Sequence, residues 1–383
     1  MQEEEDAGVV SKHLKFQQAF LELENRCFWS KNAPQSRFFC CWDLPDPLCF
    51  SHATLTRVSP RLRKVSDLPG EIFSKALSPR SVTVTWQANK DEVQRNQDAQ
   101  CTNWLSKEHN LSVLSNFIRN TDIFLSIAGG WWYQPNHLHH SLPYGIKGNE
   151  AIVKKILAHT MFSMPEEINR LDCKRCVIVG NGDTLRNSSL GETINKYDIV
   201  IRLNNAPVRG YEKDVGNKTT LRIFYPESTI EDPTVENNFD TLFVLVPFKT
   251  ADIHWLKAIV YNETKITAGF WRRPAFVKNL DPAKLRILNP YYMYQAATYF
   301  LSQPNKRRGN RPTTGFLAVT LGLNYCDEID VAGFGYPLNQ KNGRIHYFDQ
   351  LSMKHMSNTV HNVTHEHLFL KTLKNAGVIK YLT

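Results

Sequence analysis

Six short apolar runs between residues 175 and 337 constrain this chain more than any other feature. They are "RCVIVGNG", "YDIVIRLNN", "TTLRIFYPES", "DTLFVLVPF", "LRILNP" and "EIDVAGFGYP". Most are nearly continuous apolar runs rather than alternating ones, which is how a strand covered on both faces reads. Helical patterns stand between several of them: "KTADIHWLKAIVYN", "YYMYQAATYFLS" and "TTGFLAVTLGLNYC". Strands alternating with helices in this way predict an α/β fold with a mostly parallel sheet flanked by helices. Upstream, "NEAIVKKILAHTMF" reads as a further helix, and "THEHLFLKTLKNAGVIKYL" as a C-terminal one. "QPNKRRGNRP" reads as a basic loop.

Residues 1–100 lack a sustained period, and "CCWDLPDPLCF" is broken by prolines. They are expected to form a poorly ordered extension or stem, with residues 101–383 as a single domain. No run of about 18 apolar residues is present, so no spanning helix is expected. "MQEEEDAGVV" has no apolar centre and does not read as a signal peptide. Sequons nevertheless begin at Asn110, Asn187, Asn217, Asn262 and Asn362, and the cysteine count of eight is even. Both favour an oxidising, glycosylating compartment. The conflict suggests an N-terminus that is truncated, alternatively spliced or mispredicted.

Three stretches carry candidate chemistry. "VIVGNGDTLRNSSLG" places Gly180 and Gly182 where a strand of an open α/β sheet would meet a ligand. The dinucleotide fingerprint fails because Leu185 stands at its third glycine, and no P-loop lysine follows. A tight structural turn explains the glycines as well as a phosphate cradle does. In "RPTTGFLAVTLG", a Thr precedes an apolar run, an N-cap signal that also marks a potential anion site. The third stretch, "HYFDQLSMKHMSNTVHNVTHEHLF", holds five histidines. His361 and His365 are spaced to chelate a metal, but the order is not that of a zinc protease and no third ligand is evident. Acid–base chemistry near neutral pH is the second reading, and an exposed helix start the third. His137, His139 and His140 read as a surface loop. The formal charge of +9 suits an anionic ligand such as a sugar nucleotide or nucleic acid, or an acidic surface; many secreted proteins are equally basic.

Four of these segments resemble the motifs of the animal-type sialyltransferases, in the correct order. Residues 173–228 resemble the large motif and "PTTGFLAVTLGLNYCDEIDVAGFGY" the small one. "HYFD" at 346–349 resembles the third, and "HNVTHE" at 361–366 the very small motif. "LRNSSLGETINKYDIVIRLNNAPV", "FYPES", "GFW" and "LPYGIKG" are most similar to the β-galactoside α-2,3 subfamily, type IV above all.

The resemblance implies a Rossmann-like variant of the nucleotide-sugar transferase (GT-A-like) fold. It implies transfer of sialic acid from CMP-sialic acid to galactose-terminated glycans, with inversion, no metal cofactor and no nucleic-acid partner. Asn181 and Asn204 would bind the donor's nucleotide and phosphate. Thr313, Thr314 and Gly315 would line the donor site, and Gly335 would admit the cytidine. His346 would contact the departing phosphate, and His361 would be the base that deprotonates the galactose 3-hydroxyl. Glu366 would orient a loop or helix. Cys176 would pair with Cys326, closing a loop that stabilises by about 4–5 kcal/mol on a chain-entropy argument. Cys173 would pair upstream with Cys101. Asp183 departs from the usual large motif and would repel a phosphate unless turned away. Family members are Golgi membrane proteins with one N-terminal anchor, which is not visible here. An oxidoreductase, a zinc hydrolase and a silent sugar-nucleotide-binding protein are the competing classes.

Overall fold

All six apolar runs become strands: β1 (Arg175–Val179), β2 (Ile199–Leu203), β3 (Leu221–Phe224), β4 (Leu242–Leu245), β5 (Leu285–Ile287) and β6 (Glu328–Ala332). A seventh, β7 (Lys380–Tyr381), joins the edge beside β6. These come from a computed structural model that describes residues 101, 103, 114, 117–126, 140–275, 277, 280–302, 311–337, 339–356 and 361–383. All of them lie within one compact unit, Gln87–Thr383. The expected extension, His137, His139, the Asn110 sequon and residues 303–310 of the basic loop lie outside the described residues.

The strand order is β5-β4-β3-β2-β1-β6-β7, and every pairing is parallel. From β1 the chain winds outward to β5, then returns to the other side of β1 as β6. Strand order therefore reverses between β1 and β6, and the crevice beyond their C-terminal ends is where such sheets take ligands. The described helices are α1 (Glu150–Leu157), α2 (Glu166–Asn169), α3 (Gly191–Asn195), α4 (Glu212–Val215), α5 (Thr250–Val260), α6 (Pro290–Gln295), α7 (Thr314–Tyr325) and α8 (Val363–Asn375). α7 is almost wholly buried and packs on β1, β2 and β3, so it is apolar on every face.

The predicted helix over 364–382 is shorter than expected. It ends at Asn375, Gly377 adopts φ 72°, and the chain then turns into β7. The positive φ that glycine tolerates stops the helix. The predicted "YYMYQAATYFLS" helix is α6 followed by a π-turn over Ala296–Phe300. At the other sheet edge, Phe124 bridges Leu288 antiparallel, which covers the open side of β5.

Cys176 on β1 is bonded to Cys326 at the end of α7, and Cys101 to Cys173. These are the pairs the motif resemblance implies. The first ties the strand that feeds the glycine turn to the helix beneath it, and both of its cysteines are fully buried.

Candidate active site

A cavity of about 930 Å3 opens over the C-terminal ends of β1, β2, β3, β4 and β6. Asn181, Asn204, Thr313, Thr314, Gly315, Gly335, His346, His361 and Glu366 all line it. Residues from four separated segments therefore meet at one place.

Its floor is a seam of backbone. A Cβ on Gly180 or Gly182 would lie 2.5 Å from the Gly333 carbonyl oxygen. Gly180 N–H donates to Ala332 O, and Gly182 N–H to Gly333 O. These glycines let the β1 and β6 turns touch each other, so the structural reading of the turn holds whatever else binds there. Gly335, at φ 104°, faces open space.

Asn181 projects from this seam. Its carbonyl accepts from Tyr347 N–H at 3.0 Å, which ties the third motif to the first. Its buried Oδ1 has no hydrogen-bond partner among the described residues. Asn204 is held at three atoms. Its N–H donates to Ile223 O, its carbonyl accepts from Arg222 Nη1 at 2.9 Å, and its Oδ1 accepts from Ser228 Oγ at 2.9 Å. With φ at 55°, it is in a strained region that these bonds stabilise. Arg222 is buried among carbonyl oxygens, and desolvation lowers its pKa to about 10. Because Ser228 occupies Oδ1, the amide nitrogen Nδ2 is the donor that remains.

Thr313 caps α7, as the sequence predicts, accepting from Phe316 N–H at 3.1 Å. The N–H groups of Thr314 and Gly315 then lie in the first turn, where helix geometry supplies no partner. Glu366, on α8, accepts from Thr313 N–H at 2.7 Å and from Thr313 Oγ1 at 2.6 Å. It thus holds α8 to the start of α7. Burial pushes its carboxyl up to about 7, against the lowering effect of the Thr313 bonds.

His361 sits at the entry to α8. Its Nδ1 lies 2.6 Å from the Arg311 carbonyl oxygen. A carbonyl can only accept, so Nδ1 carries the proton and Nε2 presents a lone pair. Desolvation holds its pKa below 6.5. His346 differs: its Nδ1 is 2.8 Å from Asp349 Oδ2, and its ring stacks on Phe348 at 5.0 Å.

Asp183 turns aside, pairing with Arg186 at 2.8 Å, and does not line the cavity. His355 and His367 also line the cavity, whereas His365 does not. The sequence reading also misses Tyr225, Phe248, Lys249, Trp271 and Arg311 on the wall. "FYPES" and "GFW" carried a signal there without a role. The sequon residues Asn187, Asn217, Asn262 and Asn362 are exposed. Asn362 also caps α8 through His365 N–H. Among the described residues, the group of potential metal ligands within reach of one ion is Cys101, Cys173 and Glu328, and its two sulfurs are bonded to each other.

The model of glycosyltransferase family 29 (sialyltransferase) matches residues 127–378. The Homo sapiens CMP-N-acetylneuraminate-beta-galactosamide-alpha-2,3-sialyltransferase 4 is 49% identical over 276 residues, 71% of this chain and 82% of its own length. The Rattus norvegicus CMP-N-acetylneuraminate-beta-1,4-galactoside alpha-2,3-sialyltransferase is 46% identical over 63% of this chain and 66% of its own. A mammalian sialyltransferase solved with Gal-beta-1-3GalNAc-ortho-nitrophenol superposes with a TM-score of 0.54 at 26% identity, over 74% of this chain and 96% of that one. The reversal of strand order, the backbone seam and the two inward histidines therefore belong to a member of glycosyltransferase family 29, the sialyltransferases.

Proposed function

We propose that this chain transfers sialic acid from CMP-sialic acid to the 3-hydroxyl of a terminal β-galactose on glycoprotein or glycolipid glycans, with inversion and with His361 as base. The observation that carries the mechanism is the His361–Arg311 hydrogen bond. It fixes the tautomer with Nε2 unprotonated, and burial favours the neutral ring at neutral pH.

In this mechanism His361 Nε2 takes the proton of the galactose hydroxyl as its oxygen attacks the anomeric carbon of sialic acid. The bond from that carbon to the phosphate oxygen breaks on the opposite face, and its electron pair leaves with CMP. The transition state is oxocarbenium-like, as in glycoside hydrolysis. His346, oriented through Nδ1 by Asp349, is placed to present Nε2 toward the phosphate. Asn204 Nδ2 and the first-turn N–H groups of α7 add donors for the same phosphate. The orphaned Asn181 Oδ1 is an acceptor, so it suits a donor hydroxyl rather than a phosphate oxygen. Together these donors supply the charge stabilisation that a divalent cation would otherwise give, so no metal is invoked.

The exposed sequons and two disulfides suit the Golgi lumen, the proposed location, with membrane association. The test is an acceptor panel with linkage analysis. CMP release that needs a galactose-terminated acceptor, persists in EDTA and yields an α-2,3 linkage supports the reading. CMP release indifferent to acceptor, or activity lost to chelator, removes it.

A further inference from the structure

The backbone seam on the cavity floor is held from a second side. The peptide unit between Ala332 and Gly333 turns its carbonyl toward β1, where it accepts from Gly180 N–H at 2.7 Å. The N–H of the same unit points the opposite way, as in any trans peptide. It donates to Thr383 Oγ1 at 3.1 Å. The next carbonyl, Gly333 O, accepts from Gly182 N–H at 2.9 Å. One peptide plane is therefore gripped on both edges, and one of its two holders, Thr383, does not line the cavity.

The pairing of β7 explains how Thr383 reaches this point. Asp330 stands beside Lys380 and Val331 beside Tyr381. Leu382 N–H then donates to Val331 O at 2.9 Å. Carried on by two residues, that register sets Thr383 beside Gly333. There β6 has ended, and Gly333 takes φ 70°. A side-chain oxygen meets its N–H where the ladder stops. Thr184 Oγ1, on the β1 side of the seam, donates to the same Thr383 hydroxyl at 3.3 Å.

The remaining freedom of this peptide is small. Gly333 is buried, so an N–H left without an acceptor there is costly. Leu185 closes another side, since a Cβ on Gly333 would run into its side chain. Without the Thr383 acceptor the open motion is rotation of the peptide plane, which a glycine tolerates better than any other residue. That rotation would draw Ala332 O away from Gly180 N–H and reshape the floor.

We propose that Thr383 is a positioning residue for the donor site. It stands outside the cavity and acts through Gly333, fixing the peptide plane on which the Gly180–Gly182 turn rests. The assignment rests on the transfer reaction proposed above, in which the CMP moiety occupies this end of the cavity.

The test is equilibrium titration with CMP, accompanied by donor KM, acceptor KM, kcat and melting temperature. Thr383→Val keeps the shape of the side chain and removes the acceptor, whereas Thr383→Ser keeps the hydroxyl. Thr383→Val is expected to weaken CMP and raise the donor KM by about three- to tenfold, the worth of one hydrogen bond. The loss should fall on donor KM rather than on acceptor KM or kcat, and Thr383→Ser should bind CMP as wild type does. A residue that only steadied the fold would lower the melting temperature and leave the affinity of the folded protein alone; that result overturns the assignment. Thr383→Ser as weak as Thr383→Val also overturns it, because the methyl and not the hydroxyl would then matter. Wild-type protein that binds no CMP overturns the transfer reading and this one with it, whereas wild-type binding matched by Thr383→Val overturns this one alone.

Discussion

The segments around His346 and His361 bring the same side chain to one cavity and surround it oppositely. His346 has a carboxylate on Nδ1 and an aromatic ring against its face. His361 has a carbonyl oxygen on Nδ1 and is desolvated. Burial lowers the His361 pKa and so keeps that ring neutral, whereas His346 lies against a carboxylate. Position on the sheet supplies the rest. His346 is tied to the backbone seam through Tyr347, and His361 to the start of α7 through Arg311. Two chemically identical groups thus stand in opposite surroundings, and the proposed mechanism rests on that difference.

The comparison breaks first at His361. His361→Ala should lower kcat by about 10²–10⁴-fold while a donor analogue still binds, since a positioned base contributes about that much. Single-turnover rates and analogue affinity check it, and near-normal turnover would remove the base role. His346→Gln should lower kcat by about 10²-fold, comparable to removing one donor from a developing anion. If its loss instead raises the acceptor KM alone, His346 is not on the phosphate side.

Glu366 sharpens the contrast through stability. Its carboxyl, raised from 4.5 to about 7, keeps a proton in the folded state that the unfolded chain has released. Stability should therefore fall as pH rises through that window, by about 3 kcal/mol. Denaturant titrations at several pH values should show the slope in wild type and not in Glu366→Gln. Ser228→Ala frees the Asn204 amide to rotate, so the donor KM should rise by about threefold to tenfold, the worth of one hydrogen bond. An unchanged donor KM would show that Ser228 does not fix the amide. The smallest effect is on pH: the acid limb of kcat/KM should lie below 6.5, because activity falls only as the depressed His361 protonates.

Most strands were legible because a strand buried on both faces is predominantly apolar, and β1 to β5 are, with one arginine each in β1, β2, β3 and β5. β7 was not, because two residues carry no period. The four motif segments were legible as resemblance, and the Cys176–Cys326 bond followed from it. The Lys249–Glu227 ion pair on the cavity wall was hidden, since Glu227 lies 22 residues away on another strand's exit. That His355 and His367 line the cavity was hidden for the same reason: it depends on how loops cross it, which spacing does not encode. Asp183 looked like a repulsive intruder until Arg186, three residues on, was seen to turn it away.

The seam between Gly180, Gly182 and Gly333 has a consequence for how such an enzyme can be altered. A surface made of main chain has no side chains to exchange, so it offers substitution no gradual path. A methyl added at Gly180 or Gly182 would meet a carbonyl oxygen at 2.5 Å, and one added at Gly333 would meet the Leu185 side chain. New preferences must be written elsewhere on the wall, where side chains such as Trp271 and Lys249 can be swapped without parting the two turns. One end of the cavity is fixed by what is missing from it, and that leaves the other free to vary.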